Sequence, residues 1–69
     1  MIYSVYEDQV FTVIEVDSET YDLLDKYDIS KNDSYKVFLG NALERDYLSS
    51  ILNITLEGTD YYKVKIHHN

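Results

Sequence analysis

Four acidic residues, Glu19, Asp22, Asp25 and Asp28, recur at every third position, and on a helix that spacing sets successive carboxylates about 4.5 Å apart along the axis. To order of magnitude this resembles the ~3.4 Å repeat of phosphates along one DNA strand. A fixed row of negative charges at such a repeat can compete for a groove lined with Lys and Arg that was built to hold nucleic acid. Occupying a basic surface, not catalysing a reaction, is the chemistry these residues suggest. Asp17 and Glu15, with Glu7 and Asp8, extend the acidic surface if the turn between the first two strands lies beside the helix. Tyr21 falls between the helix's apolar side and Asp25, where an apolar ring with a polar tip would anchor an interface.

Other reactive side chains suggest less. His67 and His68 are adjacent, and neighbours in a strand point to opposite faces, so they cannot share a metal ion. The acids do not follow the twelve-residue calcium-loop pattern. Gly40 and Gly58 are the only glycines and there is no cysteine, which leaves no glycine-rich phosphate loop and no thiol or disulfide chemistry. No serine sits in a nucleophile elbow. The sequence therefore predicts no enzyme, no cofactor and no metal. Lys63, Lys65 and His67 make a small basic stripe on the last strand, but the chain's net charge of -7 opposes direct nucleic-acid binding by the protein itself.

That net charge is unevenly placed. Residues 1–33 hold nine carboxylates against Lys26 and Lys31, whereas residues 34–69 balance four acids with four bases. At 45% hydrophobic residues, the chain is too apolar to be an acidic disordered tail. The alternating, acid-bearing first sixteen residues resemble neither a secretory signal nor a transit peptide. No apolar stretch approaches the ~20 residues of a membrane span. The expectation is a cytoplasmic protein with no membrane contact, one domain over residues 1–69.

The elements that must position these groups are readable in outline. Ile2 to Tyr6 and Val10 to Val16, rich in β-branched and aromatic residues, predict an opening hairpin. A three-residue turn at Glu7-Asp8-Gln9 would set Val5 opposite Phe11 and Tyr3 opposite Val13. The other face would gather Ile2, Tyr6, Val10, Ile14 and Val16, so the sheet is covered on both sides or buries its second face against a partner. A helix follows, capped by Asp17, with Val16 and Tyr21 as a hydrophobic staple and Thr20, Leu23, Leu24 and Tyr27 inward. Tyr35 to Leu39 reads as a middle strand, with a helical hairpin as its rival. Asn41 and Glu44 suit a capping box for a second helix that buries Leu43, Tyr47, Leu48 and Ile51 and ends near Ser50. Alternation in Leu52 to Leu56 and Tyr62 to Ile66 about Gly58-Thr59-Asp60 predicts a second hairpin.

The expected fold class is α+β: a small, mainly antiparallel sheet of two hairpins and a middle strand, with two helices packed on one face. The expected function is that of a small acidic protein-binding inhibitor, analogous in charge and size to DNA-mimic proteins that viruses use against host defence. Its partner would be the basic surface of a nucleic-acid-binding protein or nuclease. Glu19, Tyr21, Asp22, Asp25 and Asp28, flanked by Asp17 and Glu15, would make the contact. The alternative is a homodimer formed through the apolar strand face of Ile2, Val10, Ile14 and Val16, with charge serving only solubility.

Overall fold

In the computed structural model, which describes residues 1–68, the β-branched and aromatic runs form β1 (Ile2–Asp8), β2 (Phe11–Val16), β3 (Tyr35–Leu39) and β4 (Tyr61–Ile66). Helix α1 (Ser18–Leu23) follows β2, and α2 (Ala42–Leu52) joins β3 to β4. The sheet order is β1-β2-β4-β3. The two outer pairs are antiparallel and the central pair, β2 with β4, is parallel. The α+β class holds, the sheet is mixed, and of the two expected hairpins only the first forms.

Both edges of β4 are occupied by β2 and β3, so no room is left for residues 52–56 beside it. Leu52 instead closes the last turn of α2 as a buried residue, and Asn53 takes the left-handed conformation (φ 55°) that ends the helix. Ile54 and Leu56 then pack on the core from an irregular connection. The first hairpin turns at Gln9 and Val10 with Gln9 at φ 58°, and its register sets Asp8 opposite Phe11 and Val5 opposite Ile14. Val5 thereby moves to the face opposite the one expected from a Glu7-Asp8-Gln9 turn. An irregularity between Ile2 and Ser4 shifts the start of β1.

One face of the sheet, carrying Ile14, Val16, Phe38, Tyr62 and Val64, packs with Leu24, Leu48 and Leu52 into the core. The homodimer face expected from the sequence is therefore not available: Ile14 and Val16 are 0% exposed under the helices. Helix α2 begins as expected. The Asn41 side chain accepts from the Glu44 amide at 2.9 Å, and the buried Glu44 carboxylate accepts from Asn41 Nδ2 and the Leu39 amide, both at 3.1 Å. The helix buries Glu44, Leu48 and Leu52 and leaves Leu43 exposed. We expect Asn41→Ala to cost about 1 kcal/mol by chemical denaturation, since it removes the cap and one donor to Glu44. An unchanged midpoint would show the cap to be dispensable.

Among the described residues, the other sheet face presents side chains in three rows set by register. At the hairpin end lie Asp8, Phe11, Tyr61 and Leu39. Next come Tyr6, Val13, Lys63 and Val37. The third row is Ser4, Glu15, Lys65 and Tyr35. Both helices, Tyr27, Ile54 and Leu56 belong to the opposite side.

Candidate functional site

The first helical turn of the acidic segment forms for the reason its sequence suggests: the Asp17 carboxylate accepts the Thr20 amide at 2.9 Å. The same oxygen lies 3.3 Å from the Met1 amino group, which also donates to Thr20 Oγ1 at 2.6 Å. The Thr20 side chain and amide, with that amino group, hold the Asp17 carboxyl below its ordinary range. Asp17 is thus spent on the helix start.

The helix then stops at Leu23, and the expected carboxylate row stops with it. Two tertiary partners impose the end. The Tyr47 hydroxyl donates to the Leu23 carbonyl and accepts from the Lys26 amide at 3.1 Å, while Lys36 Nζ donates to the Tyr21 carbonyl at 2.6 Å. These contacts satisfy the terminal backbone groups that another turn would have used. Leu23 is left exposed and Leu24 becomes the buried residue. Only Glu19 and Asp22 remain on α1, both exposed.

Asp25 lies beyond the helix, largely exposed, and pairs with Lys36 at 3.3 Å. Asp28 turns inward. It accepts from the Ser30 amide (2.9 Å), the Ser30 hydroxyl (2.8 Å) and the Val37 amide (2.9 Å). Burial raises its pKa, but the hydrogen bonds from Ser30 and Val37 outweigh that effect and hold the carboxyl below its ordinary value. Together with Ile29, whose amide donates to the Val37 carbonyl at 2.9 Å, it covers the free edge of β3. Asp28 is therefore a structural acceptor, not part of a contact row.

Tyr21 also moves from its expected role. It is buried in the core cluster, with Lys36 Nζ 4.4 Å from its ring centre, and burial raises the pKa of its hydroxyl. It is not an exposed anchor. Glu15 lies on the open sheet face, where it meets His67 Nδ1 at 3.0 Å; that hydrogen bond lowers its pKa against a smaller opposing effect of burial. The hairpin turn is at the far end of β2 from α1, about 17 Å along a strand of this length. Glu7 and Asp8 therefore form a separate group. The seven expected contact residues are divided among the helix surface, the core, the β3 edge and the open face.

Of thirteen acids, eight remain exposed with no side-chain hydrogen bond or ion pair among the described residues: Glu7, Asp8, Glu19, Asp22, Asp33, Asp46, Glu57 and Asp60. Asp60 precedes Tyr61, whose amide donates to the Val10 carbonyl at 3.2 Å, so it joins Glu7 and Asp8 at the hairpin end. The bases are more constrained. Lys36 is engaged as above, Lys26 lies 5.1 Å from the Tyr27 ring centre, and Lys63 lies between Phe11 (4.4 Å) and Tyr35 (4.8 Å). Each of these contacts is a cation–π arrangement that keeps the ammonium against the molecule's own surface.

The open face also holds groups that a reading centred on the helix passes over. Tyr3 stacks on His67 with centroids 4.3 Å apart, and Phe11 lies 5.8 Å from Tyr61. Strand alternation is the signal that finds them, since Tyr61, Lys63, Lys65 and His67 occupy one side of β4. Among the described residues no cluster of His, Cys, Asp and Glu has metal-binding geometry, and no helix is long and apolar enough to cross a membrane. Comparison with protein-family models, curated proteins and solved structures finds no match.

Proposed function

We propose that the protein acts by stoichiometric binding, presenting negative charge to the basic surface of a nucleic-acid-binding protein or nuclease and blocking that surface. One observation carries this reading: eight carboxylates face solvent without a cation of the chain's own beside them, while three of its six bases lie against its own rings. Holding so much unpaired like charge on a 69-residue domain weakens it through self-repulsion, and a cationic partner converts that cost into attraction. Glu19 and Asp22 supply charge from the helix surface, and Glu7, Asp8 and Asp60 from the hairpin end. The mimicry is one of charge density, not of a phosphate-spaced row.

A displacement assay tests it. Basic DNA-binding proteins loaded on immobilised duplex DNA should be released by the wild-type protein at low salt. Release should weaken between about 50 and 200 mM salt as exposed charges are screened. A Glu7→Gln/Asp8→Asn/Glu19→Gln/Asp22→Asn variant touches no internal contact, so its stability should stay within about 0.5 kcal/mol of wild type, while its association slows on the order of tenfold. Equal release by the neutralised variant would remove the basis of the reading.

A further inference from the structure

We infer that the open sheet face is the interface of a symmetric homodimer, closed about a two-fold axis that lies above this face and runs parallel to the strands, over the gap between β2 and β4. Self-association through this face does not depend on the charge-based binding above, with which it shares only Asp8 at the hairpin end.

Three observations support a second copy as the occupant. The strand directions across β1-β2-β4-β3 are themselves two-fold symmetric, because the central pair is parallel and each outer strand is antiparallel to its neighbour. Rotation about an axis above the sheet and over the gap between β2 and β4 therefore lays β2 of one copy over β4 of the other with matched direction and keeps the two sheets aligned. The register then decides which residues meet. Phe11 is level with Tyr61, Val13 with Lys63, and Glu15 with Lys65. The two-fold sets Phe11 over Tyr61 of the other copy and Glu15 over Lys65, with the Lys63 side chains meeting above the buried Val13. Each contact occurs twice, as an isologous interface demands.

The face is also locally neutral. Lys63 and Lys65 offset Asp8 and Glu15 on a molecule whose total is -7, so this side can approach a second copy without opposing two acidic surfaces. A nucleic-acid strand would need net positive charge here, and none is present. The composition is that of an interface core, with Tyr3, Tyr6, Tyr61 and Leu39 exposed above a floor of buried Val13 and Val37.

Light scattering across a concentration series tests the assignment. Wild type should reach about twice the 8.1 kDa mass of one chain, and the association should survive added salt, unlike binding to a basic partner. Lys65→Glu sets a carboxylate over Glu15 of the other copy at each of the two symmetric contacts, Glu15→Lys sets an ammonium over Lys65 at each, and each variant alone should scatter as one chain. Mixed in equal amounts, the two should return the doubled mass, because each copy now complements the other. Since Glu15 and Lys65 are also neighbours within one chain, circular dichroism of each variant separates loss of folding from loss of association. The E15K/K65E double variant, which keeps a complementary pair both within and between copies, should itself be dimeric. A wild type that scatters as one chain at every concentration overturns the proposal. So does a dimer that neither single reversal dissociates, or capture of single-stranded DNA by this face in place of self-association.

Discussion

Gly40→Ala is expected to abolish folding. A Cβ built at Gly40 would lie 1.6 Å from the Thr59 carbonyl oxygen, 2.6 Å from its carbon and 3.0 Å from the Asp60 oxygen. All three are backbone atoms, so no side chain can rotate away. The Gly40 amide also donates to the Asp60 carbonyl at 2.9 Å, and that bond ties the end of β3 to the start of β4. Relief of the clash requires these two segments to part at a central strand. Ordinary overpacking costs about 1–3 kcal/mol where a core can adjust, and the rigid contact here should exceed that. A 69-residue domain has only roughly 3–10 kcal/mol to lose. Gly58→Ala is the control: its Cβ would meet only the Arg45 guanidinium at 3.7 Å and the position does not require positive φ, so stability should hold or rise slightly. Circular dichroism with urea titration decides the matter, and a cooperative Gly40→Ala transition near the wild-type midpoint would contradict it.

Asp28→Ala should destabilise by about 2–3 kcal/mol, because two amides and one hydroxyl lose a charged acceptor and one of the amides belongs to Val37, a buried residue. Asp22→Ala, on the exposed helix surface, should change stability by under about 0.5 kcal/mol. The contrast separates a structural carboxylate from a free one six residues earlier. Acid provides a second readout. The folded-state pKa of Asp28 lies below its ordinary value of 3.8, so its contribution is fully present above that value and is lost as pH falls through the lower folded one. Wild type should therefore lose stability on acidification below about pH 4, and Asp28→Asn, which cannot ionise, should show a shallower loss over the same range. Parallel pH profiles for the two proteins would place the acid sensitivity elsewhere.

The local rules of helix starts were legible: Asp17 and Asn41 cap α1 and α2 as their side chains suggest. The strand at Tyr35 to Leu39 was also readable, from its β-branched and aromatic content and the break at Gly40, but its place at the sheet edge was not. What the sequence hides is set by distant partners. Helix α1 is ended by Tyr47 and Lys36, separated from it by 24 and 15 residues, and no glycine or proline announces the stop. Tyr27 in the connection even adopts φ 73°, an uncommon conformation for an aromatic residue, with its ring against the edge of Tyr47 at 5.3 Å. Asp offers a partial clue, since its side chain competes for backbone amides and favours turns over helix interiors. The run that suggests a contact face by its period thus marks a helix end by its residue type. Alternation in residues 52–56 predicts a strand, but pairing is a global property: β4 had already been claimed on both sides. The hairpin register turned on a left-handed Gln9, a conformation its residue type does not advertise.

Placing the strand of residues 61–66 at the middle of the sheet has a consequence for how the polypeptide is made. On a translating ribosome, residues 1–16 can pair early, yet Val16, Phe38 and the inward side of α2 lack the central part of their packing until Tyr62 and Val64 emerge from the exit tunnel. Until that strand is made, the nascent chain carries apolar surface that the finished sheet covers.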